Sequence, residues 1–338
     1  MSALPAGLSK AWVPAALSAQ LKRKPLKRVI GGTPIVLFRD GAGKASVLED
    51  RCPHRNYPLS DGRVQDGTLL CPYHGWRFDG SGACVETPGC APGASLARLG
   101  AHPVTAVERH GAIFVRLEDG DGTAPFEAPP LLGDPNHHHF WWTQEPWQGR
   151  AIDALENILD PFHTNFIHDG LIRMSRRRQA VRQTLVTRER DFEVVYEQDA
   201  PDQGWMSRLL EGERNRSVGR YLAPVVFQGR WESRRGLTLC ATTFFVPESE
   251  NRYRPFGCWT TPKRRGPAWL KQALIMSFVG PVAAQDRRAL ALQNQTITAF
   301  GGPRFKAGPT DRVAAPLARL YAGGSLEPAT DGPHEIWL

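Results

Sequence analysis

A chain of 338 residues is long enough for about two domains. With 41% hydrophobic and 22% charged residues it reads as globular, which excludes wholesale disorder and collagen-like or coiled-coil architecture. Six cysteines are too few for a disulfide-built scaffold, and a net charge of +8 permits an anionic partner without demanding one. The basic runs Lys22 to Arg28, Arg173 to Arg178 and Lys263 to Arg265 come with no nucleic-acid-binding motif, so no nucleic acid is expected.

From about residue 9 to 120, short β-like runs alternate with Gly, Asp and Pro turns: Thr33 to Arg39, Ala45 to Glu49, Thr68 to Leu70, Trp76 to Phe78 and Ala112 to Leu117. This is a small all-β unit. Pro, Gly and acidic residues then crowd Glu118 to Pro135, marking a linker. The divisions expected are 1–120, a linker over 121–140, and a second domain over 141–338. The triplet His137 to His139 reads as an exposed loop, because consecutive side chains diverge and cannot share one metal.

Ala151 to His168 reads as a helix kinked at Pro161. Leu185 to Gln198, Val225 to Glu232, Gly236 to Val246 and Arg252 to Thr261 read as longer strands. Ala268 to Phe278 and Val282 to Thr298 read as two helices separated at Gly280-Pro281. The second domain is therefore α+β with an antiparallel sheet. Ala273 to Ala284, an uncharged and mostly apolar stretch, falls short of the roughly 20 residues that span a bilayer. The N-terminus lacks a secretory pattern, so the expected location is cytoplasmic. The basic segment before Ala268 suits peripheral contact with the inner membrane face.

Two constellations carry chemistry. Cys52-Pro53-His54 and Cys71-Pro72-Tyr73-His74 are separated by sixteen residues, and each follows a predicted strand. Two Cys and two His on facing loops suit a structural zinc or a two-iron cluster. With Gly75-Trp76 following, the pattern resembles the Rieske [2Fe–2S] motif, which assigns Cys52, His54, Cys71 and His74 as cluster ligands. Tyr57 and Tyr73 stand near the places where the respiratory branch of that family carries bridging cysteines, so the resemblance runs to Rieske oxygenases. Cys84 and Cys90 read as small buried or surface residues.

The second constellation is Asn157-x-x-Asp160-x-x-His163-x-x-x-x-His168. A step of five residues turns two histidines apart on a regular helix, so a distortion after Pro161 is needed for both to reach one metal. In this context the run resembles the mononuclear-iron motif of Rieske oxygenases. A 2-His-1-carboxylate iron leaves open positions for dioxygen. By the resemblance the carboxylate is Asp286, within a QDxxxLxxQ run, with Asp311 and Glu327 as outside candidates.

The resemblance, closest in kind to compact monooxygenases and oxidative demethylases such as dicamba and vanillate demethylases, implies an N-terminal Rieske domain and a helix-grip-like catalytic domain. It implies a [2Fe–2S] cluster, a mononuclear Fe(II), O2 as co-substrate and a homotrimer in which Asp160 joins His163 to the cluster ligand His74 across subunits. The chain has no GxGxxG turn and no plant-type cluster motif, so NAD(P)H acts only indirectly, through a separate reductase with or without a ferredoxin. The net positive charge suits an acidic electron donor. Apolar runs at Val225 to Phe227, Leu237 to Phe245, Tyr253 and Phe256 to Trp259 are the expected pocket walls, for a hydrophobic aromatic, polycyclic or sterol-like substrate. Rival readings are a Rieske electron carrier that leaves the histidine pair idle, and a membrane-surface component of a lipid-modifying system.

Overall fold

The computed structural model describes residues 4–91, 93–118, 125–168, 171–172, 178–198, 214–263 and 266–338. It forms two compact units, Ser9–Glu127 and Ala128–Leu338, the second joined by the N-terminal residues up to Leu8.

The first unit is all β. A three-stranded sheet joins β1 (Val13–Leu17), β10 (Ala112–Arg116) and β9 (Thr105–Arg109), and a second joins β2 (Leu26–Ile30), β3 (Thr33–Arg39) and β4 (Ala45–Glu49). A four-stranded sheet carries β5 (Arg63–Gln65), β6 (Thr68–Leu70), β7 (Arg77–Phe78) and β8 (Cys84–Glu86). Three hairpins turn on two residues with positive φ, Gly31-Gly32, Asp66-Gly67 and His110-Gly111, the geometry that matches the twist of tight antiparallel pairs. Val36, Phe38, Leu48, Leu59, Leu69 and Phe78 form a core around Cys52 and Cys71.

Among the described residues the second unit is one nine-stranded antiparallel sheet with three α-helices. Its order is β11 (His137–Thr143), β18 (Arg252–Pro262), β17 (Gly236–Ser249), β16 (Val226–Ser233), β15 (Arg214–Leu222), β14 (Asp191–Glu197), β13 (Ala180–Thr187) and β19 (Ala329–Trp337), with β12 (Trp147–Gln148) also paired to β18. Helices α1 (Ala151–Leu159), α2 (Ala268–Ala299) and α3 (Ala314–Tyr321) supply Leu155, Leu159, Ala283, Leu290 and Leu317 to a core shared with Phe192, Tyr221 and Phe245 of the sheet. The α+β class and the antiparallel catalytic sheet agree with expectation.

Four local expectations are corrected. His137 to His139 begin strand β11 rather than a loop: they pair with Pro262 to Thr260, while His137 Nδ1 meets Asp134 Oδ2 at 3.0 Å and His139 Nδ1 meets Thr260 Oγ1 at 3.1 Å. Leu185 to Gln198 is not one strand, because the chain reverses after Thr187 and β13 pairs with β14. The two late helices are one helix, α2, with Pro281 inside it. The lost hydrogen bond and the clash of the proline ring with the preceding turn together cost about 3 kcal/mol. Ile275, Val279, Ala283 and Leu290 keep one buried stripe across the proline, and burying each of the larger three at roughly 2 kcal/mol offsets that cost. The fourth concerns the pocket walls: Val225, Tyr253, Phe256 and Cys258 are buried in the core and do not line the cavity beside His163 and His168.

Lys22, Arg23, Lys24 and Lys263 are exposed, whereas residues 173–177 and 264–265 of the other basic runs lie outside the described residues. Among the described residues no helix is long and apolar enough to cross a membrane.

Candidate metal centres and substrate cavity

In the first unit the two Cys/His loops are built alike. Cys52 N–H donates to the Tyr57 carbonyl and Cys71 N–H to the Trp76 carbonyl, both at 2.8 Å. Asn56 and Gly75, each four residues after its cysteine, donate back to the Cys52 and Cys71 carbonyls and take positive φ. At Gly75 a side chain would also meet Pro88 Cγ at 2.7 Å, so this turn requires glycine twice over. Each loop is a compact turn that presents its Cys inward and its His outward.

Cys52 and Cys71 are 2% and 1% exposed, and burial, with Cys71 alongside, pushes the Cys52 thiol up to about 11. His54 and His74 lie with ring centroids 4.4 Å apart, His54 stacked on Trp76 at 4.6 Å. The His54 Nδ1 atom is buried with no hydrogen-bond partner. Two buried thiols at one end, two imidazoles at the other and an orphaned ring nitrogen fit a [2Fe–2S] cluster held by thiolates on one iron and imidazoles on the other. Tyr57 and Tyr73, one from each loop, pack with ring centroids 5.4 Å apart. Cys84 is buried, Cys90 is exposed and both are free thiols.

In the second unit the distortion expected after Pro161 is present. Helix α1 ends at Leu159, Asp160 takes an extended conformation (φ −85, ψ 120) and Phe162–Asn165 form a tighter 3-10 turn. The Asp160 side chain accepts from Phe162 N–H at 2.8 Å, which caps that turn. The change of pitch brings His163 and His168 together, with ring centroids 5.2 Å apart. Asp286, midway along α2, completes the group: Oδ1 is 3.8 Å from His163 Nε2 and 3.2 Å from His168 Nε2. The ligating atoms of the three residues all lie within 4.8 Å of one another.

The surrounding hydrogen bonds orient this triad. His163 Nδ1 sits 2.5 Å from the Asp160 carbonyl oxygen and His168 Nδ1 sits 2.8 Å from Gln285 Oε1, so each ring donates from Nδ1 and leaves Nε2 as a lone pair toward Asp286. Asn157 Nδ2 donates to Asp286 Oδ1 at 3.1 Å. Burial holds His163 below the usual imidazole range; burial acts the same way on His168, but Asp286 and Gln285 outweigh it and leave that ring raised. His168 is 1% exposed and its Nε2 has no hydrogen-bond partner, so the group fits a divalent metal that accepts both Nε2 atoms.

Asp160 presents its main-chain carbonyl, not its carboxylate, to His163. The alternative carboxylates stand apart from the triad: Asp311 is exposed and accepts from Gly308 N–H at 2.5 Å, and Glu327 is exposed. Gln285 opens the QDxxxLxxQ run, but the sequence assigned it no role; the structure shows it orienting a buried imidazole from the position beside the carboxylate.

The triad opens on a cavity of about 250 Å³. Helix α2 contributes Phe278, Val279 and Val282, and the sheet contributes Phe227, Trp231 and Trp259. Alternation along β17 decides which residues line it: Leu239, Ala241, Thr243 and Phe245 face the cavity and their neighbours do not. Trp142 on β11 and Ile158 on α1 are lining residues that the sequence did not announce.

Residues 11–106 match the family model described as the Rieske [2Fe-2S] domain, and residues 149–315 match the vanillate O-demethylase oxygenase C-terminal domain. The chain is similar to dicamba O-demethylase, oxygenase component, of Stenotrophomonas maltophilia, with 42% identity over 169 residues, which is 47% of this chain and 47% of the relative. It is similar to 4beta-methylsterol monooxygenase of Methylococcus capsulatus, with 51% identity over 174 residues, 46% of this chain and 44% of the relative. The matched region thus spans less than half the length of either relative. The fold is similar to that of dicamba monooxygenase bound to dicamba, with a TM-score of 0.79 and 22% identity over 93% of this chain and 97% of that one. One model covers the paired Cys/His loops and the other covers the histidine pair with Asp286, so the chain joins a Rieske [2Fe-2S] domain to a C-terminal domain of the vanillate O-demethylase oxygenase type.

Proposed function

We propose that this chain is an oxygenase component that uses O2, and electrons from a separate reductase with or without a ferredoxin, to hydroxylate or oxidatively demethylate a hydrophobic aromatic or polycyclic substrate. The observation that supports it most is the convergence of His163, His168 and Asp286 on the wall of an apolar cavity. When bound, the cluster and the mononuclear iron supply stored electrons and oxygen activation. The residues supply position. Asp160 O and Gln285 fix both imidazole tautomers, Asn157 restrains one oxygen of Asp286, and Trp231, Trp259, Phe227 and Val279 keep water from the reacting face.

Asp160 is assigned a second role, in a homotrimer: its carboxylate accepts from a ring N–H of His74 on a neighbouring subunit, while its carbonyl holds His163. The support is its place three residues before His163, with the carboxylate anchored on Phe162 N–H and not spent on the triad itself. The mixed-subunit experiment in the Discussion tests this role.

Oxygen consumption tests the main reading. Purified protein, a surrogate reductase and NADH are expected to consume O2 only when an aromatic acid, an aryl methyl ether or a sterol from a substrate panel is added, with an oxygenated or demethylated product recovered. A cluster that is reduced normally while no member of the panel elicits uptake or product would favour the electron-carrier reading.

A further inference from the structure

Two strand-interior glycines lie beneath the aromatic wall of the cavity. In the sheet register Gly257 of β18 stands opposite Trp142 of β11, and Gly229 of β16 stands opposite Ala241 of β17. Glycine weakens a strand, and neither residue has a positive φ that would require it. Close approach accounts for both. A Cβ on Gly257 would fall inside the contact radius of Trp142 Nε1 and Cε2, so the indole lies flat across the strand at that point. A Cβ on Gly229 would meet Phe227 Cζ and Trp231 Cη2, each at 2.9 Å. Those two rings flank the glycine on the same face and lean over it, and Trp231 stacks on Trp259 with centroids 5.9 Å apart and planes 21° apart.

Trp142, Phe227, Trp231 and Trp259 all line the cavity. The space a Cβ would fill is therefore the space that lets these rings lie down instead of standing into the cavity beside the His163, His168 and Asp286 triad. We infer that Gly257 and Gly229 are specificity-determining residues that set the depth of the cavity, so that the floor admits a flat fused-ring compound. The inference rests on the reading of this cavity as the substrate site. It goes beyond that reading by naming which residues limit substrate size. A core-packing role alone would make Gly257→Ala less stable without changing which ligand is preferred.

Equilibrium dialysis of the holoprotein against naphthalene and pyrene separates the two without any turnover. The wild-type chain is expected to retain both probes. In Gly257→Ala the displaced indole should weaken pyrene about tenfold, the cost of overpacking by one methyl, and naphthalene by less than about threefold. Gly257→Ala/Trp142→Ala should recover pyrene, because the ring that was pushed up is gone. Should Gly257→Ala fail to fold, Gly229→Ala gives the same readout, since the ring edges it meets are the tips of side chains. Wild-type protein retaining neither probe, equal weakening of both probes in the variant, or no recovery in the double variant would each overturn the inference. A chain that discriminates the probes as expected yet consumes no O2 would instead count against the oxygenase reading alone.

Discussion

Asp286→Ala is expected to empty the mononuclear site and abolish turnover while the visible spectrum of the Rieske cluster stays as in the parent protein. Asp286 is the only carboxylate among the described residues whose oxygen lies with His163 Nε2 and His168 Nε2, and it also accepts from Asn157. Its loss leaves two imidazoles facing one another without a counter-charge. Loss of a residue that merely orients a ligand lowers metal affinity by about 10- to 100-fold, so loss of a ligand should exceed roughly 100-fold. The variant should fold, because Asp286 is partly exposed and Ala283 and Leu290, which anchor this part of α2, are untouched. Metal titration together with single-turnover product analysis checks it. Full metal affinity in the variant would move the third ligand elsewhere in the chain.

Cys71→Ser is expected to remove the cluster and its colour while the second unit keeps its fold. Cys71 is 1% exposed and packs in the core with Leu69 and Phe78. A hydroxyl placed there costs about 1–3 kcal/mol of desolvation besides the lost ligand, all of it borne by the first unit. The second unit has its own core around Leu155, Phe192 and Tyr221, so the triad should still bind metal. Co-assembly with His163→Ala chains extends the test to Asp160. Each homotrimer should be inactive, whereas mixed trimers should recover activity where an intact cluster neighbours an intact triad. Verified mixed trimers without activity would place the electron path within one chain and remove the second role given to Asp160.

What was legible in the sequence was chemistry tied to local spacing. Cys52, His54, Cys71 and His74 sit on short loops whose geometry follows from neighbouring residues, and the paired turns at Asn56 and Gly75 lie within a few positions of the cysteines. The distortion at Pro161 was legible for the same reason. What depends on distant packing was less so. Pro281 looked like a helix break because proline removes one hydrogen bond, but the buried stripe from Ile275 to Leu290 is visible only once the sheet beneath it is in place. His137 to His139 resemble a surface triplet until β18 supplies their pairing partners more than a hundred residues later. Strand β15, with Arg214, Arg216 and Arg220, hides its alternation because its arginines reach carboxylates such as Asp191 and Glu232 on adjacent strands. Gln285 and the glycines beneath the aromatic rings gain meaning only from neighbours brought by the fold.

The central claim, that one chain holds both an electron-storing cluster and an oxygen-activating metal, is tested most directly by iron and acid-labile sulfide analysis of the purified, reconstituted protein. The account predicts about three irons and two sulfides per chain, falling to about two irons with sulfide unchanged in Asp286→Ala. Two irons and two sulfides in the parent chain, with no further iron taken up on titration, would contradict it.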